Sequence, residues 1–296
     1  VRVLVTGATG FIGSAVVRDL LRAGHQVLGL ARSDRSATAL KEAGAEVRRG
    51  DLDDLAGLRE AAAAVDGVAH LAFIHDFSNY PAAAQADERA IEAMGQALAG
   101  SDRPLVVTAG TMSLAPGRTA TEEDVVDPRT TAVPRRSEQA AAAFVERGVR
   151  VSVVRLPPSV HGEGDHGFVP RLIEIAREKG VSAYPGDGSN RWPAVHRVDA
   201  ARLFRLALEA APAGSRLHGI DDEGVRVRDI AEVFGRHLNL PMTSIPREEA
   251  AGHFGWLGPL FAADAPASSA LTRELLGWQP TRQGLLADLE AGHYFN

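Results

Sequence analysis

The chain has 296 residues, 45% of them hydrophobic and 24% charged, with a formal net charge of −6 at pH 7. That length supports one main core with a smaller lobe, and the mildly acidic, mixed-sign charge excludes nucleic acid as the expected partner. The absence of cysteine removes disulfides, thiolate metal ligands and cysteine nucleophiles together, and no apolar run approaches the ~20 residues that span a bilayer, so a cytoplasmic protein without a leader or membrane partner is expected.

Residues 1–6, VRVLVT, form a short β-branched run, GATG follows, and FIGSAVVRDLLRAG carries apolar residues at helical spacing and stops on Gly24. The strand and helix rhythm continues through HQVLGLAR, a helix from Ala37 to Ala43, AEVRRG, a helix over Leu55 to Ala64, and GVAHLAF. A helix over Ala82 to Leu98 leads to the strand PLVVTAG, and one over Ser137 to Arg147 leads to VRVSVVRL. Near-continuous apolar strands alternating with helices predict an α/β fold with a doubly wound parallel sheet and helices on both faces. After Gly162 the rhythm changes to a helix at Val169 to Lys179, a Gly/Pro-rich loop SAYPGDGSNRWP, and AVHRVDAARLFRLALEA, read as a return to the sheet and its covering helix. The remainder reads as helices and turns. The expected organisation is a dinucleotide-binding domain of residues 1–161 plus 194–222 and a smaller substrate lobe of residues 162–193 plus 223–296.

Gly7, Gly10 and Gly13 set a GxxGxxG spacing between the first strand and the first helix. A tight turn there lets the backbone approach a pyrophosphate, and the helix amides hold the anion, so Thr9, Phe11 and Ile12 join the glycines as expected cofactor contacts. The end of the second strand reads ARSDR. Arg32 and Ser33, with Arg35 as a second candidate, favour the 2′-phosphate of NADP (NADPH), whereas Asp34 on the ribose would favour NAD. Asp51 and Leu52 are expected near the adenine, and Leu71, Ala72 and Phe73 beside the nicotinamide ribose.

The motifs TGATGFIG, GDLDD, AHLA, VVRLPPSVHGEGD and WPAVHRVDAA, in that order, resemble the extended short-chain dehydrogenase/reductase (SDR) superfamily, of the NAD-dependent epimerase/dehydratase kind. The resemblance implies a Rossmann sheet, a C-terminal substrate lobe, a bound nicotinamide cofactor, and catalysis by Ser or Thr with a Tyr-x-x-x-Lys pair. In that pair the lysine lowers the tyrosine pKa and anchors the nicotinamide ribose, while the tyrosine exchanges the proton. Thr108, Pro157 and Ser159 are further cofactor contacts on the same resemblance.

On this register the Tyr-x-x-Ser-Lys pattern falls on Pro134, Arg135, Arg136, Ser137 and Glu138. The chain's tyrosines are Tyr80, Tyr184 and Tyr294 and its lysines Lys41 and Lys179, so no slip restores the pair, and the chain resembles the atypical SDRs. A hydroxyl survives within Thr108-Ala109-Gly110-Thr111, with Thr111 as a catalytic candidate beside three proton sources: His75 and Tyr80 after the fourth strand, and His161 after the sixth, where the family usually has tyrosine. Asp199 is expected to cap a helix, His196 to make a buried hydrogen bond, and Arg155 to satisfy a neighbouring loop. His161, Glu163, Asp165 and His166 are the tightest group of potential metal ligands, but three glycines leave their loop undefined and no metal is expected. Tyr184, Trp192, Phe254 and Trp256 either line an apolar pocket or form the core of the lobe.

The expected function is an NADPH-dependent oxidoreductase (carbonyl reductase or alcohol dehydrogenase type) acting on a small, largely apolar metabolite. A non-catalytic NADP-binding sensor and an NAD-using sugar epimerase or dehydratase stay open as alternatives. The expected partner is a small-molecule substrate, with a homodimer left open.

Overall fold

The computed structural model describes residues 1–75, 79–112, 114–115, 117–126 and 135–296. In chain order the elements are β1 (Arg2–Thr6), α1 (Phe11–Arg22), β2 (Gln26–Ala31), α2 (Asp34–Glu42), β3 (Glu46–Arg49), α3 (Leu55–Ala63), β4 (Gly67–His70), α4 (Tyr80–Leu98), β5 (Pro104–Gly110), α5 (Ser137–Ala142) and β6 (Arg150–Leu156). There follow β7 (Ser159–His161), α6 (Phe168–Lys179), β8 (Ser182–Pro185), β9 (Arg191–His196), α7 (Arg197–Ala210), β10 (Ser215–His218), β11 (Asp222–Arg226), α8 (Val227–Leu238) and β12 (Met242–Ile245). The short helices α9 (Ala250–Phe254), α10 (Gly258–Ala262), α11 (Ala270–Leu276) and α12 (Leu285–Glu290) complete the chain.

Seven strands pair in the order β10-β6-β5-β4-β1-β2-β3, all parallel. The side-chain period of 2 along β1 builds both faces: Val3 and Val5 pack with Val16, Leu20, Leu203 and Phe204 of α1 and α7, while Leu4 packs with Leu58, Ile91 and Met94 of α3 and α4. The chain runs outward from β1 to β3 and then crosses back to β4 on the other side of β1. This is the doubly wound arrangement, and its strand order reverses between β1 and β4, the point where such sheets bind ligands at their carboxyl ends.

Three expectations change. SAYPGDGSNRWP contains β8 and the start of β9, which pair with β12 and with β7 and β11 in two small sheets. The strand of AVHRVDAA is therefore not the return to the main sheet; that return is β10, an edge strand beside β6 in the stretch read as helices and turns. An edge strand of four residues with only Leu217 and His218 buried has no alternation long enough to declare itself. Finally, α5 ends at Ala142, where the bonds Phe144 N to Ala141 O and Val145 N to Ala142 O tighten the chain into three-residue turns.

In the lobe Trp192, Tyr184 and Phe254 are buried in one apolar cluster with Phe234 and Phe261, which makes them core. Trp256 is 47% exposed.

Candidate active site

Gly7 has φ +64°, and a Cβ there would stand 2.8 Å from the Ala72 amide nitrogen; one on Gly13 would stand 2.0 Å from the Gly7 carbonyl oxygen. Both glycines are required by the turn itself. Gly10 differs, because a Cβ there would meet only the Gly7 oxygen, at 3.2 Å, with open space beyond. Gly10 also begins the 12-residue α1 with no side-chain cap, so the amides following it, at Phe11 and Ile12, are left for an anion. These residues fit a dinucleotide diphosphate.

The turn is tied to the tip of β2. The Thr9 hydroxyl donates to Ser36 Oγ at 3.4 Å, and Ser33 caps α2 by accepting from the Ser36 amide at 3.2 Å. Arg32, Ser33, Asp34 and Arg35 are exposed. Asp34 is paired with Arg49 at 3.0 Å, whereas the Arg32 side chain has no ion pair among the described residues. Asp51 accepts from the amides of Asp53 and Asp54 at 3.0 and 3.2 Å, and Leu52 is buried against the α3 face.

A buried polar chain fixes the ends of β4 and β5. The Thr6 hydroxyl oxygen accepts from the amides of Leu71 and Ala72, both at 3.2 Å, and lies 2.8 Å from His70 Nδ1. With both lone pairs used, its single proton goes to Nδ1, so His70 donates from Nε2 to Asp87, 3.1 Å away. β4 ends at His70, shorter than GVAHLAF suggests, and the amides that follow turn to the Thr6 hydroxyl. Asp87 also accepts from Ser137 Oγ and, at 3.5 Å, from Arg135 Nη2. Burial would push the Asp87 carboxyl up, but His70, Arg135 and Ser137 together hold it below the usual carboxylate range.

Arg135 is the residue that sequence reasoning missed. It donates from Nε to Ser137 Oγ at 2.7 Å and from Nη2 to Thr108 O at 2.9 Å, and its guanidinium lies 4.2 Å from the centre of the Phe73 ring. The available signal was an arginine directly after the tyrosine position in a stretch without lysine.

Around it stand two of the predicted proton sources, His75 and Tyr80, and the Thr108 carbonyl. His75 is solvent-facing but packs edge-on to Phe73 at 5.4 Å, and its imidazole is held below the normal histidine range by desolvation and then by the Arg135 charge. Tyr80 opens α4 with its ring 5.5 Å from Phe73, and burial raises its phenol despite Arg135. The Thr108 hydroxyl is committed to His70 O at 2.9 Å, while the buried Thr111 hydroxyl has no partner among the described residues.

His161 is not part of this group. It is fully buried in β7, with Nδ1 2.8 Å from Asp288 and its ring edge-on to His196 at 5.4 Å. That is a structural pairing between β7 and α12 rather than an open loop position. Pro157 is buried between β6 and β7, and Ser159 is buried in β7.

Pro134 lies outside the described residues. Glu138 gives both carboxylate oxygens to Arg155 Nε and Nη2, at 2.8 and 2.7 Å, and Arg155 Nη1 donates to Asp124 O in the neighbouring loop at 2.8 Å. His196 and Asp199 exchange their expected roles. His196 Nδ1 caps α7 by accepting from the Val198 amide at 3.2 Å, while Asp199, one turn in and buried, accepts from the amides of Thr281 and Arg282 at 3.0 and 2.9 Å. In HGEGDHG, Asp165 accepts from the Gly167 amide and the Tyr294 hydroxyl, and His166 packs on Phe11. Among the described residues no three histidines or acids gather as metal ligands, and no helix is long and apolar enough to cross a membrane.

A parallel sheet that reverses order beside a glycine turn, with aromatic and ionisable groups at the ends of β4 and β5, defines a dinucleotide-binding enzyme of the SDR type. A model of the NAD dependent epimerase/dehydratase family matches residues 3–218, and the chain belongs to that family, a group of NAD(P)-dependent oxidoreductases, epimerases and dehydratases within the extended SDR superfamily. It is 49% identical to uncharacterized protein C2A9.02 of Schizosaccharomyces pombe, over 99% of this chain and 100% of that protein. A 2-alkyl-3-oxoalkanoate reductase of Stenotrophomonas maltophilia is 32% identical over 74% of this chain and 68% of its own. Among solved structures, DesIV, a dTDP-glucose 4,6-dehydratase from Streptomyces venezuelae with NAD and TYD bound, superposes with a TM-score of 0.78 at 20% identity, covering 99% of this chain and 96% of that one, a likeness of fold.

Proposed function

We propose that the protein is an NADPH-dependent carbonyl reductase acting on a small, largely apolar ketone. The observation that carries this reading is the convergence of Phe73, His75, Tyr80 and Arg135 at the ends of β4 and β5, next to a glycine turn with room for a diphosphate. A reduced nicotinamide supplies the hydride when bound. The chain's residues then position the carbonyl, shield it from water on the Phe73 side, and handle one proton at the oxygen. Thr111, just after β5, is the remaining candidate donor, with a buried hydroxyl that has no hydrogen-bond partner among the described residues. His75 and Tyr80 are the ionisable groups within the cluster, and the raised Tyr80 phenol stays protonated at pH 7.

The reductase of Stenotrophomonas maltophilia and a ketoreductase of Stigmatella aurantiaca, 26% identical over 99% of this chain, support the carbonyl class. NADPH over NADH is supported by Arg32, which has no ion pair among the described residues at the β2 tip, while Asp34 is paired with Arg49. Titration with both cofactors, followed by NADPH oxidation against a panel of 3-oxo esters and aryl ketones, tests the reading. Tight NADPH binding with turnover of a ketone is expected. Saturable binding with no turnover on any carbonyl favours the sensor reading, and preference for NAD with a nucleotide sugar favours the epimerase reading.

A further inference from the structure

Resting on that cofactor site, we propose that Arg135 is the residue that holds the nicotinamide-side ribose, a task the superfamily resemblance would give to a lysine at position 138.

Glu138 itself cannot serve. It has the wrong charge, and both its oxygens are closed on Arg155, which is fully buried and also donates to Asp124 O. Arg135 brings a cation in from three residues earlier. Its guanidinium sits at the carboxyl end of β5, on the Thr108 carbonyl, and over Phe73, which follows the end of β4. These are the two strand ends on the far side of the topological switch from the adenine half, where the second ribose of a dinucleotide laid across β1 has to rest.

The guanidinium is also pre-set. Ser137 Oγ fixes Nε, Thr108 O and Asp87 fix Nη2, and the Phe73 ring supports the plane. Nη1 has no hydrogen-bond partner among the described residues, although the side chain is only 18% exposed. A planar fork with spare N–H donors, held rigid at the ends of β4 and β5, matches the adjacent hydroxyl oxygens of a ribose, and little side-chain freedom is lost when it binds them. Asp87 acts through Arg135 and Ser137, so it and His70 are positioning residues. The charge of Arg135 also reaches His75 and Tyr80: it adds to the burial that holds the His75 imidazole down and partly opposes the burial that raises the Tyr80 phenol, so the same cation biases the groups that handle the proton. Arginine stays charged across the working pH range, so this residue anchors and polarises but does not supply the proton.

The test compares two ligands on one protein. NADP⁺ carries the nicotinamide ribose, and 2′,5′-ADP carries only the adenine half; should the 2′-phosphate preference fail, NAD⁺ and ADP make the same pair. In calorimetric titrations, Arg135→Met should weaken NADP⁺ by roughly 10–100-fold, the range for a lost charge-assisted hydrogen bond, while 2′,5′-ADP stays within about twofold. Arg135→Lys should recover part of the loss. Unchanged NADP⁺ affinity in Arg135→Met overturns the proposal. Equal weakening of both ligands in both variants also overturns it, by showing a purely structural role, and the 2′,5′-ADP arm doubles as the check of folding. If the wild type binds neither pair, the cofactor reading itself fails and takes this inference with it. If it binds 2′,5′-ADP and NADP⁺ equally, the adenine half stands and the ribose contact does not.

Discussion

Glu138 and Arg155 form a two-bond ion pair, Nε at 2.8 Å and Nη2 at 2.7 Å, that closes the start of α5 onto the end of β6. Arg155 is fully buried and the Glu138 side chain is 15% exposed, so the pair is shielded, and removing one partner strands the other. Arg155→Met should cost about 3–5 kcal/mol in denaturant unfolding. Glu138→Gln should lower stability as well yet leave kcat within a few-fold of wild type. A Glu138→Gln protein that is as stable as wild type but has lost turnover would instead make the carboxylate catalytic.

The glycine turn separates structural from ligand-driven demand. Gly13→Ala should destabilise the fold, because its Cβ would lie 2.0 Å from the Gly7 oxygen, whereas Gly10→Val should keep the fold and lose the cofactor. Thermal melts paired with NADPH titrations distinguish the two. Cofactor binding retained in Gly10→Val would place the diphosphate elsewhere.

At the β2 tip, Arg32→Ala should reduce the preference for NADPH over NADH by about 1.5–3 kcal/mol, the contribution of a hydrogen bond to a charged group. NADH affinity should barely move, since NADH lacks the phosphate Arg32 would pair with. Parallel titrations of wild type and variant with both cofactors measure this, and an unaltered ratio would remove Arg32 from the site.

Asp87 gives a pH signature. Its folded pKa lies below the ordinary aspartate value of about 3.9, so its contribution to stability is complete above that value and is lost as pH falls through the folded pKa. Asp87→Asn should therefore be less stable than wild type at pH 7, with the gap narrowing only below about pH 4. Urea unfolding at a series of pH values reads it; a constant gap down to pH 2 would mean that the carboxylate charge is not what matters.

For the proton, Thr111→Val, His75→Ala and Tyr80→Phe are the informative set. At least one should lower kcat by roughly 10²–10⁴-fold, the usual size of a lost acid or base. Near-normal rates in all three would assign the proton to solvent. His161→Ala belongs with the stability variants, because it removes the buried hydrogen bond to Asp288 in the lobe.

The sheet and its glycine turn were legible because both are local. Val3, Leu4 and Val5 already alternate between faces, and Gly7, Gly10 and Gly13 sit in one seven-residue window. The short strands β8, β10 and β12 were not, because their partners lie far along the chain and their burial is uneven. At the site, His75 and Tyr80 could be placed by the strand they follow. Arg135 could not, since its value comes from Phe73, Asp87 and Thr108, each dozens of residues away. His196 and Asp199 show the same limit: either could cap α7 by spacing, and only the distant Thr281 and Arg282 amides decide which one is free to do so.

The central claim is that this chain passes hydride to a carbonyl without a tyrosine and lysine on α5. Deuterium transfer tests it most directly: NADPH carrying deuterium at nicotinamide C4 is incubated with the protein and the ketone panel, and the products are examined by mass spectrometry. The account predicts one deuterium on the carbinol carbon of at least one product, with the label retained in Glu138→Gln. A protein that binds NADPH yet yields no deuterated alcohol from any member of the panel would contradict it.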